Sequence, residues 1–256
     1  MNIIRLTRTF RSAKRLQQII NVFLKYGFGQ IIDQIHLGRY IPFKKRLKSF
    51  GEWPALKGPT VAERLRMAFA ELGPSFIKLA QVLSSRPDLI TSQFADEFKK
   101  LQDEVPPFPA HEAKIIIEKE IGVSIDEVFS EFNYEPVAAA SIAQVHYAKL
   151  IDGTEVIVKV QRPNISQEIE SDINILTTVA KMIDKYVPDS RFFNPSGIVD
   201  EFAKTVRKEM NFIEESKNAV RFANNFRDRH GIHIPVIHQQ YVSEKVIVME
   251  KIKGVR

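Results

Sequence analysis

The stretch Ala138–Pro163, AAASIAQVHYAKLIDGTEVIVKVQRP, places a loop of small residues (Ala138, Ala139, Ala140, Ser141) ahead of a strand-like run that presents one lysine, Lys159. A flexible small-residue loop followed by a strand lysine handles phosphate groups: the loop covers them and the ammonium group holds their charge. The plain alternative is a solvated strand lysine, the usual fate of that residue type.

The surrounding elements are those such a lysine needs. Val156, Val158 and Val160 alternate with Ile157, Lys159 and Gln161, a period of two with β-branched residues, so Lys159 shares a sheet face with Ile157. Asp152-Gly153 reads as the turn of a hairpin, since glycine accepts the positive φ that tight turns require. Upstream, Thr60-x-x-Glu63 and Ser124-x-x-Glu127 read as capping boxes. The first opens a helix with Leu65, Phe69 and Leu72 on one face, stopped at Gly73-Pro74. Helices follow over about 75–84, around Phe94 and Phe98, and from about 110 to Gly122, with Pro106, Pro107 and Pro109 as breakers. Downstream, helical spacing predicts one helix over about 165–186 and one long helix over about 197–225. On the latter, Asn211, Glu215 and Asn218 at i, i+4 and i+7 form a single polar stripe. The segments 232–237 and 245–252 read as two further strands.

Beside the loop and the lysine, the chain carries GPSFIKLAQVLSSRPDLI (Gly73–Ile90), LQDEVPP (Leu101–Pro107) and EMNFIEESKN (Glu209–Asn218). Together and in this order they resemble the UbiB/AarF/ADCK family of atypical, protein-kinase-like proteins, from about residue 18 to the end of the chain. The resemblance implies an α+β fold: a protein-kinase-like small lobe, with about five antiparallel strands and a long helix, preceded by a helical extension. The expected divisions are a basic region over 1–58, the extension over 59–122 and the small lobe over 123–256, ending at the hinge near Glu250. It also implies ATP or ADP with Mg²⁺ as ligand. Lys159 would hold the nucleotide phosphates, Glu215 would pair with it, and Ala138, Ala139, Ala140 and Ser141 would cover the phosphates. Glu250 would stand at the hinge side of the nucleotide, and Lys78, Gln81, Glu209 and Asn211 would form the family-specific motif cluster.

Composition narrows the setting. No cysteine is present among 256 residues, so disulfides and thiolate metal sites are excluded. The six histidines show no ligand spacing, and no metal site is expected from side chains of this chain. No apolar run reaches the length of a membrane span. Residues 1–58 hold 12 Lys/Arg against two acids, Asp33 and Glu52, a local +10 that leaves −4 for the rest of a chain whose total is +6. In the first 28 residues Arg5, Arg8, Arg11, Lys14 and Arg15 interleave with Ile3, Ile4, Leu6, Phe10, Leu16, Ile19, Ile20, Phe23 and Leu24. Three readings fit this basic amphipathic helix: a face for an anionic membrane surface, an organelle-targeting presequence, or a helix packing its apolar side on the rest of the protein. Nucleic acid is not expected as a partner, because the aromatics sit at apolar-stripe spacing and no nucleic-acid module follows.

The sequence departs from the family pattern at three places. Ala80 stands where the Lys-x-Gly-Gln motif has glycine, Asn211 where the Glu-x-Asp motif has aspartate, and Ile157 where kinase-like strands put a small alanine against the adenine. After Lys-Ile-Lys-Gly-Val-Arg256 no catalytic-loop Asp and Asn and no Asp-Phe-Gly follow, so the chain is expected to hold half an active site and to be inactive alone. The intact family member would be an atypical kinase or ATPase linked to ubiquinone (coenzyme Q) biosynthesis and lipid homeostasis. Its expected place is the cytoplasmic face of a bacterial inner membrane or, alternatively, mitochondria. Coenzyme Q biosynthesis proteins, or a chain supplying the missing lobe, would be its partners. The competing reading is a decayed pseudokinase acting as a membrane-associated scaffold.

Overall fold

The computed structural model describes residues 3–37, 58–86, 88–101, 106–187 and 194–254, with side chains from residue 13 onward. The side chains of Arg5, Arg8 and Arg11, the basic residues of 38–57 and the Gln102–Val105 part of the LQDEVPP motif lie outside the described residues. Helices run over α1 (Ile3–Lys25), α2 (Gly29–Gln34), α3 (Val61–Leu72), α4 (Pro74–Ser84), α5 (Ser92–Phe98), α6 (Ala110–Ile121), α7 (Ile125–Val128), α8 (Ile165–Tyr186), α9 (Pro195–Glu209) and α10 (Phe212–Asn225). Strands are β1 (Phe129–Phe132), β2 (Ala138–Ala139), β3 (Ala143–Leu150), β4 (Glu155–Gln161) and β5 (Val246–Glu250). The chain forms two compact units, one from Met1–Gln102 with Gln167–Lys204 and one from Asp103–Ser166 with Thr205–Arg256.

The first unit is helical. Thr60 accepts from the Glu63 amide and Glu63 returns a bond to the Thr60 amide, so the expected capping box opens α3. Gly73, at φ +88°, turns the chain between α3 and α4 in a region that only glycine enters cheaply, and Pro74 pre-sets the first turn of α4. Phe69 stacks on Phe98 at 5.4 Å and leans on Phe76 at 5.5 Å, tying α3, α4 and α5 together. Ala80 is completely buried, so the methyl group that replaces the motif glycine is absorbed in packing. Ile20 and Leu24 of α1 and Ile32 of α2 form a core with Val179, Met182 and Ile183 of α8. From Leu16 onward, therefore, the apolar side of the basic helix packs inward, as the third reading of that helix requires. Arg15 is committed there too: Nε and Nη2 lie 2.7 and 2.8 Å from the buried carboxylate of Asp172, and Nη2 also donates to the Leu72 carbonyl.

The second unit is a five-stranded antiparallel sheet in the order β1-β3-β4-β5, with β2 paired to β3. The α+β class and the five-stranded antiparallel sheet expected from the sequence are what is observed. Val156, Val158 and Val160 are fully buried on one face, where Val246, Val248, Ala113 and Ile117 complete the core. Gly153, at φ +89°, ends a three-residue β3–β4 loop closed by Leu150 and Thr154.

Two expectations are corrected. The long helix over 197–225 is two helices, because Asn211 is extended (φ −108°, ψ +100°) and its side chain accepts from the Ile213 amide as an N-cap. The polar stripe therefore dissolves: Asn211 caps the helix that carries Glu215 and does not lie along it. The segment 232–237 forms no strand; a single bridge joins Ile237 to Met249, and the Val236 amide that would continue the ladder donates to the Glu250 side chain instead. Val248 of β5 is completely buried, whereas Ile252, just beyond the strand, is 49% exposed.

Candidate functional site

Lys159 leaves the face of β4 opposite the valine core, half-buried beside Ile157. Residues directly opposite in an antiparallel ladder share a face, and the register sets Val145 against Lys159, Tyr147 against Ile157, Met249 against Ile157 and Ile247 against Lys159. At the lysine end this face is closed: Ile247 is fully buried and α10 packs on β5. On the β3 side Val145, opposite the lysine, is only partly covered; further along the face Ile157 and Met249 are partly covered and Tyr147 is exposed. The result is a half-open apolar shelf that ends in a cation.

The Lys159 ammonium donates to both carboxylate oxygens of Glu215, at 2.7 and 2.9 Å, and lies 4.7 Å above the ring of the fully buried Phe212. Glu215 sits in the first turn of α10, where the helix dipole favours a carboxylate. The pair is part-exposed, with side-chain accessibilities of 25% and 39%, so water screens it and its value lies in geometry more than in stability.

The alanine-rich segment is a tight hairpin at the edge of the same sheet. Ala138 pairs with Val145 and Ala139 with Gln144, and the Ala140 amide donates to the Ala143 carbonyl across the turn. Ser141 is completely buried, and its hydroxyl has no hydrogen-bond partner. Behind the loop runs a chain of buried polar groups that sequence reading did not single out. Phe108 N–H donates to Gln144 Oε1, Gln144 Nε2 lies 2.9 Å from His146 Nε2, and His146 Nδ1 lies 2.9 Å from the Asn133 carbonyl. The bonds are mutually consistent only when a neutral His146 carries its proton on Nδ1. Burial pushes its pKa below the ordinary histidine value, against the smaller opposing pull of the Asn133 carbonyl.

The other candidates are placed as follows. The Glu250 carboxylate accepts from the Val236 amide at 3.1 Å and lies 3.0 Å from His233 Nε2. The Val236 bond, with a smaller contribution from His233, holds the carboxyl below the usual range. The Glu250 side chain therefore braces the 233–236 segment. Lys78 and Gln81 belong to α4 of the helical unit, whereas Glu209, the last residue of α9, and Asn211 belong to the sheet unit. Among the described residues no group of three His, Asp or Glu converges as a metal site.

In this sheet a strand lysine is tied to a helix glutamate, two strands across from the small-residue hairpin. Residues 100–256 match the ABC1 atypical kinase-like domain. The chain belongs to the ABC1 atypical kinase-like family. It is 38% identical over 251 residues to a probable protein kinase UbiB of Aeromonas salmonicida, covering 96% of this chain and 45% of that protein. It is 37% identical over 248 residues to the Erwinia tasmaniensis protein of the same name, with the same two shares. The chain thus spans less than half the length of these bacterial relatives. A Mycobacterium tuberculosis protein solved in complex with erythromycin shares the fold, with TM-score 0.53 and 29% identity over 76% of this chain and 49% of that one.

Proposed function

We propose that this chain supplies the phosphate-holding half of an ATP site in an atypical kinase or ATPase. The observation that carries the reading is the Lys159–Glu215 pair at 2.7 and 2.9 Å, at the end of the apolar shelf and in register across β3 with Ala138 of the hairpin. Lys159 would hold the phosphates, Glu215 would keep the ammonium from swinging away, and Val145, Ile157 and Met249 would meet the base. The residues present fit a nucleotide's phosphates and one side of its base. Among the described residues they offer no cluster of three His, Asp or Glu for Mg²⁺. By family and by the name of its relatives, the whole protein would serve ubiquinone biosynthesis at a bacterial membrane.

The test is calorimetric titration of the purified chain with ATP. Wild type should bind, and Lys159→Ala should weaken binding by about 10–100-fold, the worth of one charge-assisted contact. Absence of wild-type binding, or equal affinity in the variant, overturns the reading. One observation favours a second reading, a scaffold without catalysis: Ile157 stands opposite Met249 and narrows the shelf where a smaller side chain would leave room. Ile157→Ala tests it, since this reading needs affinity to rise from undetectable.

A further inference from the structure

We infer that Gln161-Arg162, the dipeptide directly after the lysine strand, is the joint that positions both neighbours of Lys159. Gln161 sets the helix that carries Glu215, and Arg162 sets the alanine-rich hairpin. The consequence for nucleotide binding rests on the reading above; the positioning itself rests on geometry alone.

Gln161 is 2% exposed and fully engaged. Its amide donates to the Lys245 carbonyl at 2.9 Å, Nε2 donates to the Met210 carbonyl at 2.7 Å, and Oε1 accepts from Ser166 at 3.2 Å. Met210 stands in the break between α9 and α10, next to the cap residue Asn211. The neighbouring Phe212 amide donates to the Glu244 carbonyl at 3.1 Å. The start of α10 is thus held at two carbonyl contacts, one of them made by a side chain two residues beyond Lys159. Because Glu215 lies within one turn of that start, fixing the Met210 carbonyl fixes where the carboxylate can reach.

Arg162 works on the other side. Its amide donates to the Ile142 carbonyl, Nε to the Ala140 carbonyl and Nη2 to the Pro106 carbonyl, at 2.9, 2.9 and 2.8 Å. Its guanidinium also lies 5.6 Å from the Phe108 ring, whose residue is bound through its amide to Gln144 of β3. Two carbonyls of the four-residue turn over 140–143 therefore point at one residue. The backbone amide takes the Ile142 carbonyl, and the planar guanidinium fork spans the Ala140 and Pro106 carbonyls, a geometry that a lysine point charge does not reproduce.

The experiment is residue-resolved amide hydrogen exchange on the full 256-residue chain, followed by ATP titration. In Arg162→Met, exchange of amides 140–143 should rise at least tenfold, and Arg162→Lys should restore part of the protection. Gln161→Glu removes the donor to Met210 but keeps the acceptor for Ser166, and should raise exchange over 211–215 only. Amides of Val158 and Val248, deep in the sheet, should be unchanged in all three. A rise spread over the whole sheet means that the dipeptide merely stabilises the unit; that result, or no local rise, overturns the proposal. ATP affinity should fall at least tenfold in Arg162→Met and Gln161→Glu, and unchanged affinity in a wild type that binds also overturns it. A wild type that binds no ATP defeats the nucleotide reading, and the exchange pattern then decides the positioning claim by itself.

Discussion

At the scale of single residues, the decisive geometry is an ammonium group shared between a carboxylate and an aromatic ring. Lys159 over Phe212 and against Glu215 has a defined place without being buried, and that combination separates function from stability. Exposed pairs of this kind contribute about 0–1 kcal/mol. Glu215→Gln should therefore shift unfolding by no more than that in a denaturant melt while weakening ATP binding measurably; a loss of several kcal/mol would mean that the pair is structural. His146 gives the opposite case, a residue whose charge state matters to the fold. Burial lowers its pKa in the folded chain, whereas the unfolded chain titrates near the ordinary value of about 6.5. Protons then bind preferentially to the unfolded state, so this contribution is complete above about pH 6.5 and is lost as pH falls below it. Denaturant midpoints measured from pH 7.5 to 5 should decline, and His146→Gln should flatten the decline. An identical slope in the variant would show that other groups set it.

At the scale of elements, the sequence showed what is periodic and local and hid what depends on one residue's backbone choice. The β4 alternation, both capping boxes and the Gly73-Pro74 stop are local rules, and each appears where the pattern puts it. The break at Asn211 was not legible, because apolar spacing runs through it and only the cap geometry reveals an extended residue. Nor was the Phe108–Gln144–His146 chain, whose members are 36 and two residues apart and acquire meaning only once packed. The candidate site was legible in its pair and its loop, since these rest on a recognisable order of motifs, whereas the engagement of Glu250 with Val236 and His233 depends on a loop path that no period encodes. The cap also explains why asparagine in place of the motif aspartate disturbs the fold little: the two are near-equal N-caps. Asn211→Asp should leave stability within a few tenths of a kcal/mol, whereas Asn211→Ala should cost about 1 kcal/mol. Thermal melts of both variants check this; equal losses would mean that the cap bond contributes nothing.

At the scale of the whole molecule, the open issue is how the basic N-terminal helix divides its labour. From Leu16 to Leu24 its apolar residues belong to the core of the helical unit, where Ile20 and Leu24 pack with Val179 and Ile183, and Arg15 is consumed by Asp172 and Leu72. Among the described residues no helix is long and apolar enough to cross a membrane. An attraction to anionic lipid would therefore fall to the residues before Leu16, where the sequence places Arg5, Arg8 and Arg11 without an acid. Each basic side chain near such a surface contributes about 1 kcal/mol, reduced as salt shortens the screening length. Two truncations separate this from packing. Removing residues 2–12 should leave the thermal melt unchanged and weaken co-sedimentation with phosphatidylserine vesicles at low salt, while neutral vesicles bind neither form. Removing residues 2–25 should instead unfold the helical unit, because it strips Ile19, Ile20, Val22 and Leu24 from the interior. Vesicle binding unchanged by the shorter deletion would remove the membrane from the account and leave the helix as a packing element alone.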